Sequence, residues 1–329
     1  MLRQLSGYLR QRRRDDPTLH VVTDPPDDEE ALPEPAPQVL AAEHIESRGR
    51  LRAIDLRRPG PLETGFAYFA DGVQRSRVLY YERGVPVLFG YVAAVVRERR
   101  ERHMHTWGKP LADQALYFPY CHMDPVPLRA YDIPTYDTAP EHEPALHPRL
   151  LFQLAQDRIG RRRGALESQL VEHWSAQREK TGWLLVDGSL TVSSATTGDA
   201  MVGVVKSHTT QYFSGADQDV VFTLEPGHRT SVFRPLSRSY TPVFSWYVRL
   251  RANTRRELTY GLVRVEVPAE ERLLGHIDEL SCWLLAEIRP PALPDPRWDR
   301  LLYPVWDCEQ YLKALAPSRQ LIEGALALI

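Results

Sequence analysis

Leu2, Leu5, Tyr8 and Leu9 recur at helical spacing and lead into Arg10, Arg12, Arg13 and Arg14, which predicts a short basic amphipathic helix over residues 1–15. From Asp24 to Pro37, acidic residues alternate with prolines. Prolines and like charges oppose both helix and sheet there, so this stretch reads as an acidic linker. Residues 1–40 are therefore set apart from a domain over 41–329. Gly65 to Ala70 is a strand-type run that closes on Asp71-Gly72, and Val78 to Tyr81 is a second, so the two predict an antiparallel hairpin. Val85 to Val96 is almost wholly apolar, and Arg97 to Arg102 continues it as the charged end of a helix. Residues 106–150 carry prolines and aromatics without a period and read as an irregular insertion with short strands.

Leu150, Leu151, Leu154, Ile159, Leu166, Leu170 and Trp174 restore the helical spacing, which predicts a helix over 148–180 with possible breaks at Gly160 and Gly164. Two short apolar runs of buried-strand type follow. Trp183 to Val186 ends at Asp187-Gly188-Ser189, and Met201 to Val205 ends at Lys206. Val243–Arg251 and Leu258–Val267 predict an antiparallel pair, and residues 269–288 and 308–328 predict closing helices. The fold class is mixed α/β, with a central, partly antiparallel sheet flanked by helices.

Composition narrows the classes. Apolar residues make up 43% and charged residues 26%, ordinary globular values that exclude collagen-like, wholly disordered and coiled-coil chains. A net charge of −2 excludes a uniformly basic nucleic-acid coat protein and leaves room for a local basic groove. Cys121, Cys282 and Cys308 form no C-x-x-C pair, so neither a zinc knuckle nor a disulfide framework is expected. No uncharged apolar run reaches the ~18 residues of a membrane helix, and the first residues lack a signal-peptide core. The expected location is the cytoplasm. A G-x-x-x-x-G-K-[ST] loop is missing from the sequence, so ATP hydrolysis is not expected of this chain.

The candidate chemistry is acidic. Asp71 and Asp187 each follow an apolar strand run and precede a glycine that lets the backbone turn away. Asp-Gly is also a common turn, but two in the same setting suit a hard divalent cation, which takes oxygen ligands on a rigid scaffold. Glu167, on the helix ahead of the Asp187 strand, is a third carboxylate within reach. Three carboxylates at one spot repel, and one or two divalent cations relieve that repulsion while activating water and polarising a phosphoryl oxygen. Lys206, at the end of the next strand, suits a scissile phosphate as a point charge. Arg158, Arg161, Arg162 and Arg163 form a basic cluster that serves either DNA backbone contact or a solvated helix face.

The ordered set Ala70-Asp71-Gly72-Val73-Gln74-Arg75-Ser76, Leu166-Glu167, Leu185-Val186-Asp187-Gly188-Ser189-Leu190, Val202-Gly203-Val204-Val205-Lys206-Ser207, Val263-Arg264-Val265-Glu266-Val267-Pro268 and Tyr303-Pro304 resembles the NurA nuclease family, over about residues 60 to 315. The resemblance implies an RNase H-like core and Mn²⁺- or Mg²⁺-dependent cleavage of DNA. It also implies a homodimer and work beside a hexameric HerA-type ATPase in DNA end processing or anti-phage defence. Asp71, Glu167 and Asp187 match the family's acidic metal ligands, and Tyr303 matches its tyrosine before a proline. Two departures stand out: Asp-Gly-Val replaces the commoner Asp-Gly-Ser at Asp71, and Cys308-Glu309-Gln310-Tyr311-Leu312 stands where members often carry a histidine. The alternative is a NurA-like subunit that binds DNA or the ATPase without cutting.

Overall fold

The structure is a computed structural model that describes residues 1–15, 19–21, 38–57, 63–101, 103–139, 147–177, 181–190, 200–236, 242–253, 257–288 and 302–326. The acidic linker at 24–37 lies outside these residues. The first part of the chain forms α1 (Leu2–Asp15), the short strands β1 (His20–Val21), β2 (Gln38–Val39), β3 (Ala42–His44) and β4 (Ala53–Asp55), and three long strands, β5 (Phe66–Glu82), β6 (Val85–Arg100) and β7 (His103–Phe118). Next come α2 (Val126–Arg129), β8 (Thr135–Asp137), α3 (Pro148–Ser175), β9 (Trp183–Asp187), β10 (Met201–Val205), β11 (Thr210–Gln211) and α4 (Gly215–Thr223). The chain closes with β12 (His228–Thr230), β13 (Phe233–Pro235), β14 (Val243–Arg249), β15 (Leu262–Pro268), a 3-10 turn (Glu271–His276), α5 (Ile277–Glu287), α6 (Tyr303–Leu315) and α7 (Arg319–Leu326).

One sheet organises the molecule, with the strand order β3-β13-β14-β15-β10-β9-β5-β6-β7-β8. β5, β6 and β7 form an antiparallel meander. α3 then returns the chain across the sheet, so that β9 pairs parallel to β5 and β10 parallel to β9. β15 and β14 extend the other flank antiparallel. α3 covers one face with Leu166, Leu170 and Trp174 against Tyr68, Ala70 and Ala94. Phe69, Val95, Leu280, Val305 and Leu312 belong to the core on the opposite face, which α5 and α6 cover.

This double covering corrects three expectations. Val85–Arg100 is a strand, not a helix. A strand buried on both faces loses its two-residue alternation and reads as a continuous apolar run, which periodicity cannot tell from a buried helix. Its trailing arginines bind the helices above it. Arg97 Nε donates to Asp307 Oδ1 at 2.8 Å, and Arg99 Nη2 to Glu287 Oε1 at 2.7 Å. The predicted hairpin over 65–81 is one continuous strand, and Asp71 lies within it rather than at its end. The insertion proposed over 106–150 is not wholly irregular: residues 106–118 belong to β7, which pairs with β6 through one register shift opposite Ala94–Val96, and α2 and β8 follow. Within the helix expected over 148–180, α3 forms over Pro148–Ser175 without a break at Gly160 or Gly164, the runs at 183–187 and 201–205 are strands, the strand expected over 243–251 spans Val243–Arg249, and the closing helix is broken in two around Pro317.

α1 is part of this body. Leu5 and Leu9 are buried in the core, Ser6 Oγ donates to Ala325 O at 2.6 Å, and Arg12 pairs with Glu82 at 2.5 Å. Leu9→Ala is therefore expected to cost what a core truncation costs, about 2–5 kcal/mol. Urea denaturation checks this, and a cost below about 1 kcal/mol contradicts the docking of α1.

Candidate active site

β9 runs beside β5 only as far as the pairs Phe69–Leu185 and Ala70–Val186. The next residue on each strand is an aspartate, so Asp71 and Asp187 are set side by side where the pairing ends. Gly188 then turns the chain away with φ 134, a conformation that suits glycine. Glu167 reaches the same place from α3. Its carboxylate lies against the α-carbon of Gly72, where a Cβ would overlap its Oε1. Any larger residue at 72 displaces Glu167. Lys206, just past β10, completes the group, with Nζ 2.8 Å from both oxygens of Asp187.

The site is electrostatically tense. Burial holds the Asp71 carboxyl well above the usual carboxylate range, and the charges of Asp187 and Glu167 push it further. Lys206 and the Gly72 N–H, which donates to Asp71 Oδ1 at 2.7 Å, act against that rise. Glu167 is also raised, by burial first and by Asp187 second, while Arg163, 3.3 Å from it, opposes. The Cys308 thiol, which donates to Phe69 O at 3.4 Å, is pushed up by burial and then by Asp71. A buried carboxylate resists ionising unless a cation joins it. Lys206 serves Asp187, which leaves Asp71 and Glu167 as hard oxygen donors whose charge a divalent cation would stabilise. Among the described residues, no three His, Cys, Asp or Glu side chains already stand close enough to hold an ion.

These groups open into a cleft of about 700 Å³. Its floor is the stretch Asp71–Arg77 of β5, its wall is α6 and α7 with Pro317 between them, and Arg163, Lys313 and Arg319 add positive charge around it. Asp71, Glu167, Asp187 and Lys206, far apart in the sequence, are thus brought together. The other nominated residues are not. Tyr303 opens α6, is 37% exposed with its ring 6.2 Å from that of Trp306, and does not line the cleft, although Glu309 and Lys313 of the same helix do. Of the four clustered arginines only Arg163 lines the cleft. Arg162 pairs with Asp113 at 2.7 Å on the far side of α3, and Arg158 and Arg161 are exposed.

A supporting residue was missed as such. Glu266 is fully buried in β15, two strands away from β9. Its Oε2 accepts from Ser189 Oγ and from the Leu190 backbone N–H, both at 2.8 Å, and its Oε1 accepts from Arg264 Nη1. It thereby ties down the turn that leaves Asp187. The signal was a lone Arg-x-Glu within an otherwise apolar strand, a pattern that buried charges adopt only when paired.

A family model described as the NurA domain matches residues 112–315. Glu167, Asp187, Lys206 and Tyr303 fall within that stretch, whereas Asp71 precedes it, so the match is shorter at its start than the resemblance read from the sequence. No curated protein matches the chain.

Glu266→Ala leaves Arg264 buried without its partner and frees the 187–190 turn. The expected loss is about 3–5 kcal/mol. Urea denaturation measures it, and a loss under 1 kcal/mol contradicts the tethering role.

Proposed function

Because the chain belongs to the NurA family, we propose that it is a metal-dependent nuclease that hydrolyses phosphodiester bonds in DNA. The observation that carries this reading is the convergence of Asp71, Glu167, Asp187 and Lys206 at one end of an open cleft with cationic walls. An RNase H-like core is part of the proposal. It rests on the order β7-β6-β5-β9-β10, an antiparallel meander followed by a helix and two parallel strands, with carboxylates from the first strand, the helix and the fourth strand.

Asp71, Glu167 and Asp187 would hold Mn²⁺ or Mg²⁺, which when bound supplies Lewis-acid polarisation and an activated water. The chain's own groups do the rest. Lys206 presents a point charge to a phosphate oxygen and keeps Asp187 in place. Arg163 faces the strand entering beside Glu167. Glu266 and Gly188 hold the turn behind Asp187 still, and such preorganisation is what an electrostatic site requires. With a net charge of −2 the chain has no large positive field to gather DNA, and non-specific affinity depends on phosphate contacts and falls steeply with salt. A hexameric HerA-type ATPase that feeds DNA to a homodimer of this chain, in end processing or phage defence in the cytoplasm, supplies that concentration. Among the described residues, no helix is long and apolar enough to cross a membrane.

A second reading, a subunit that binds DNA or the ATPase without cutting, draws on the carboxylates not yet standing close enough to hold an ion. Three measurements separate the two. Labelled linear DNA is degraded with Mn²⁺ and not with EDTA, and Asp187→Asn, which keeps the shape and removes the charge, abolishes cutting. Lys206→Ala lowers the rate by about 10²–10³, and a fall under threefold removes Lys206 from the chemistry. Mn²⁺ raises the melting temperature of the native protein, because a ligand of the folded state alone stabilises it, and Asp71→Asn removes most of that rise. Since the raised carboxyls of Asp71 and Glu167 take on charge inside the fold as pH increases, the metal-free protein loses stability from them above their ordinary range, and the Mn²⁺ effect grows between about pH 5 and 8. A metal effect that shrinks as pH rises, or one that Asp71→Asn retains, contradicts the ligand set.

A further inference from the structure

Asp71, Val73, Arg75 and Arg77 alternate to the same face of β5 and form a row along the cleft. Arg77 is the anomaly in that row. Its side chain is 4% exposed, its Nη1 lies 3.5 Å from Glu323 Oε1, and its Nε and Nη2 have no hydrogen-bond partner among the described residues. A buried guanidinium with unmade hydrogen bonds costs stability and is not explained by packing. Glu323 lies between two arginines, 2.7 Å from Arg319 Nε and 3.5 Å from Arg77 Nη1. Arg75 reaches the same loop, with Nη1 3.5 Å from Pro317 O. Two guanidiniums around one carboxylate form the geometry in which arginine clamps a phosphate.

We propose that Arg77, with Arg75 and Arg319, is a phosphate subsite for the DNA strand, remote from the carboxylates, and that Glu323 holds the position a backbone phosphate takes when DNA enters. This inference rests on the nuclease reading for its substrate. At ~3.3 Å per residue, Arg75 and Arg77 stand ~13 and ~20 Å along the strand from Asp71. At ~3.4 Å per stacked nucleotide, that is about four to six nucleotides from the scissile bond. The subsite therefore sets how much strand must lie beyond the cut for tight binding. It is a positioning device and takes no part in bond breaking.

The test compares a single-stranded 20-nucleotide DNA with thymidine 5′-(p-nitrophenyl phosphate), which is too short to reach Arg77. With Mn²⁺, Arg77→Met is expected to lower the ratio of kcat/KM for the 20-mer to that for the ester by about tenfold or more, the loss of one charged hydrogen-bonding partner, with the change in KM. The same variant is expected to melt higher than the native protein, because it removes a buried guanidinium with two unmade hydrogen bonds. Glu323→Gln, a change at a partly exposed residue, is expected to lower KM for the 20-mer. An unchanged ratio for Arg77→Met, or a raised KM for Glu323→Gln, overturns the subsite. If the native protein cuts neither substrate with Mn²⁺, the nuclease reading fails by itself. Fluorescence anisotropy of the 20-mer in EDTA then decides the subsite, with Arg77→Met expected to weaken binding at least about tenfold and an equal Kd overturning it.

Discussion

The site depends on where β5 and β9 stop pairing. Their ladder ends at Ala70 and Val186, yet β5 continues to Glu82 while β9 ends at Asp187. Asp71 and Asp187 meet because each is the first residue beyond the last pair. The edge of β5 beyond that point has no partner on this side until β1 pairs at Tyr80 and Tyr81, among the described residues. Unpaired strand edges are normally blunted or covered. Here the edge is the floor of a polar cleft, and Arg75, Arg77 and Lys206 ring it with charge. One early strand end thus creates both the acidic corner and the room beside it.

The charges this brings together work against the fold. Asp71 is buried beside two other carboxylates, Arg77 is buried with two nitrogens unpaired, and Lys206, Arg163 and the Gly72 N–H offset the acidic corner. Two other buried charges are fully answered. Glu266 makes three hydrogen bonds, and the fully buried Arg249 donates to the carbonyls of Leu224, Leu258, Tyr260 and Phe222. The contrast is informative. A protein that satisfies Arg249 with four carbonyls could satisfy Arg77 too, so the two unmet nitrogens of Arg77, in the same cleft as the crowded carboxylates, read as demand for a ligand, and the ligand that answers both ends is one that carries metal-bound and free phosphates along one strand.

How much of this the sequence disclosed follows from what neighbours do to a pattern. The apolar runs at Trp183–Asp187 and Met201–Val205 were legible because each is short and bounded, and α3 because its stripe faces a single sheet surface. Val85–Arg100 was not, because helices cover both its faces and erase the alternation that marks a strand. The fused hairpin was hidden for a related reason: Gln74, Arg75 and Arg77 look like a polar connection until the cleft beside them is known. Asp71, Glu167, Asp187 and Lys206 were legible as types in an order, without their geometry. Arg77 was not, and the tethering role of Glu266 was not, since the meaning of a buried charge lies in its partners: Glu323 is 246 residues from Arg77, and the turn residues that Glu266 holds are 76–77 residues from it.

That distance in sequence has a consequence for how the site comes into being. The floor of the cleft is β5, but its second wall is α6 and α7, at the other end of the chain. α7 is held in turn by α1, through the bond from Ser6 to Ala325, and α1 is pinned to the end of β5 by Arg12 and Glu82. The two terminal helices therefore close a ring of contacts around the strand that carries Asp71, Arg75 and Arg77. Contacts between chain ends are the last for which loop-closure entropy is recovered, so the carboxylate corner can form from β5, α3 and β9 before the arginine end of the cleft is walled. The end of the cleft that needs Glu323 to move aside is thus walled by α7, while the carboxylates sit on β5, α3 and β9.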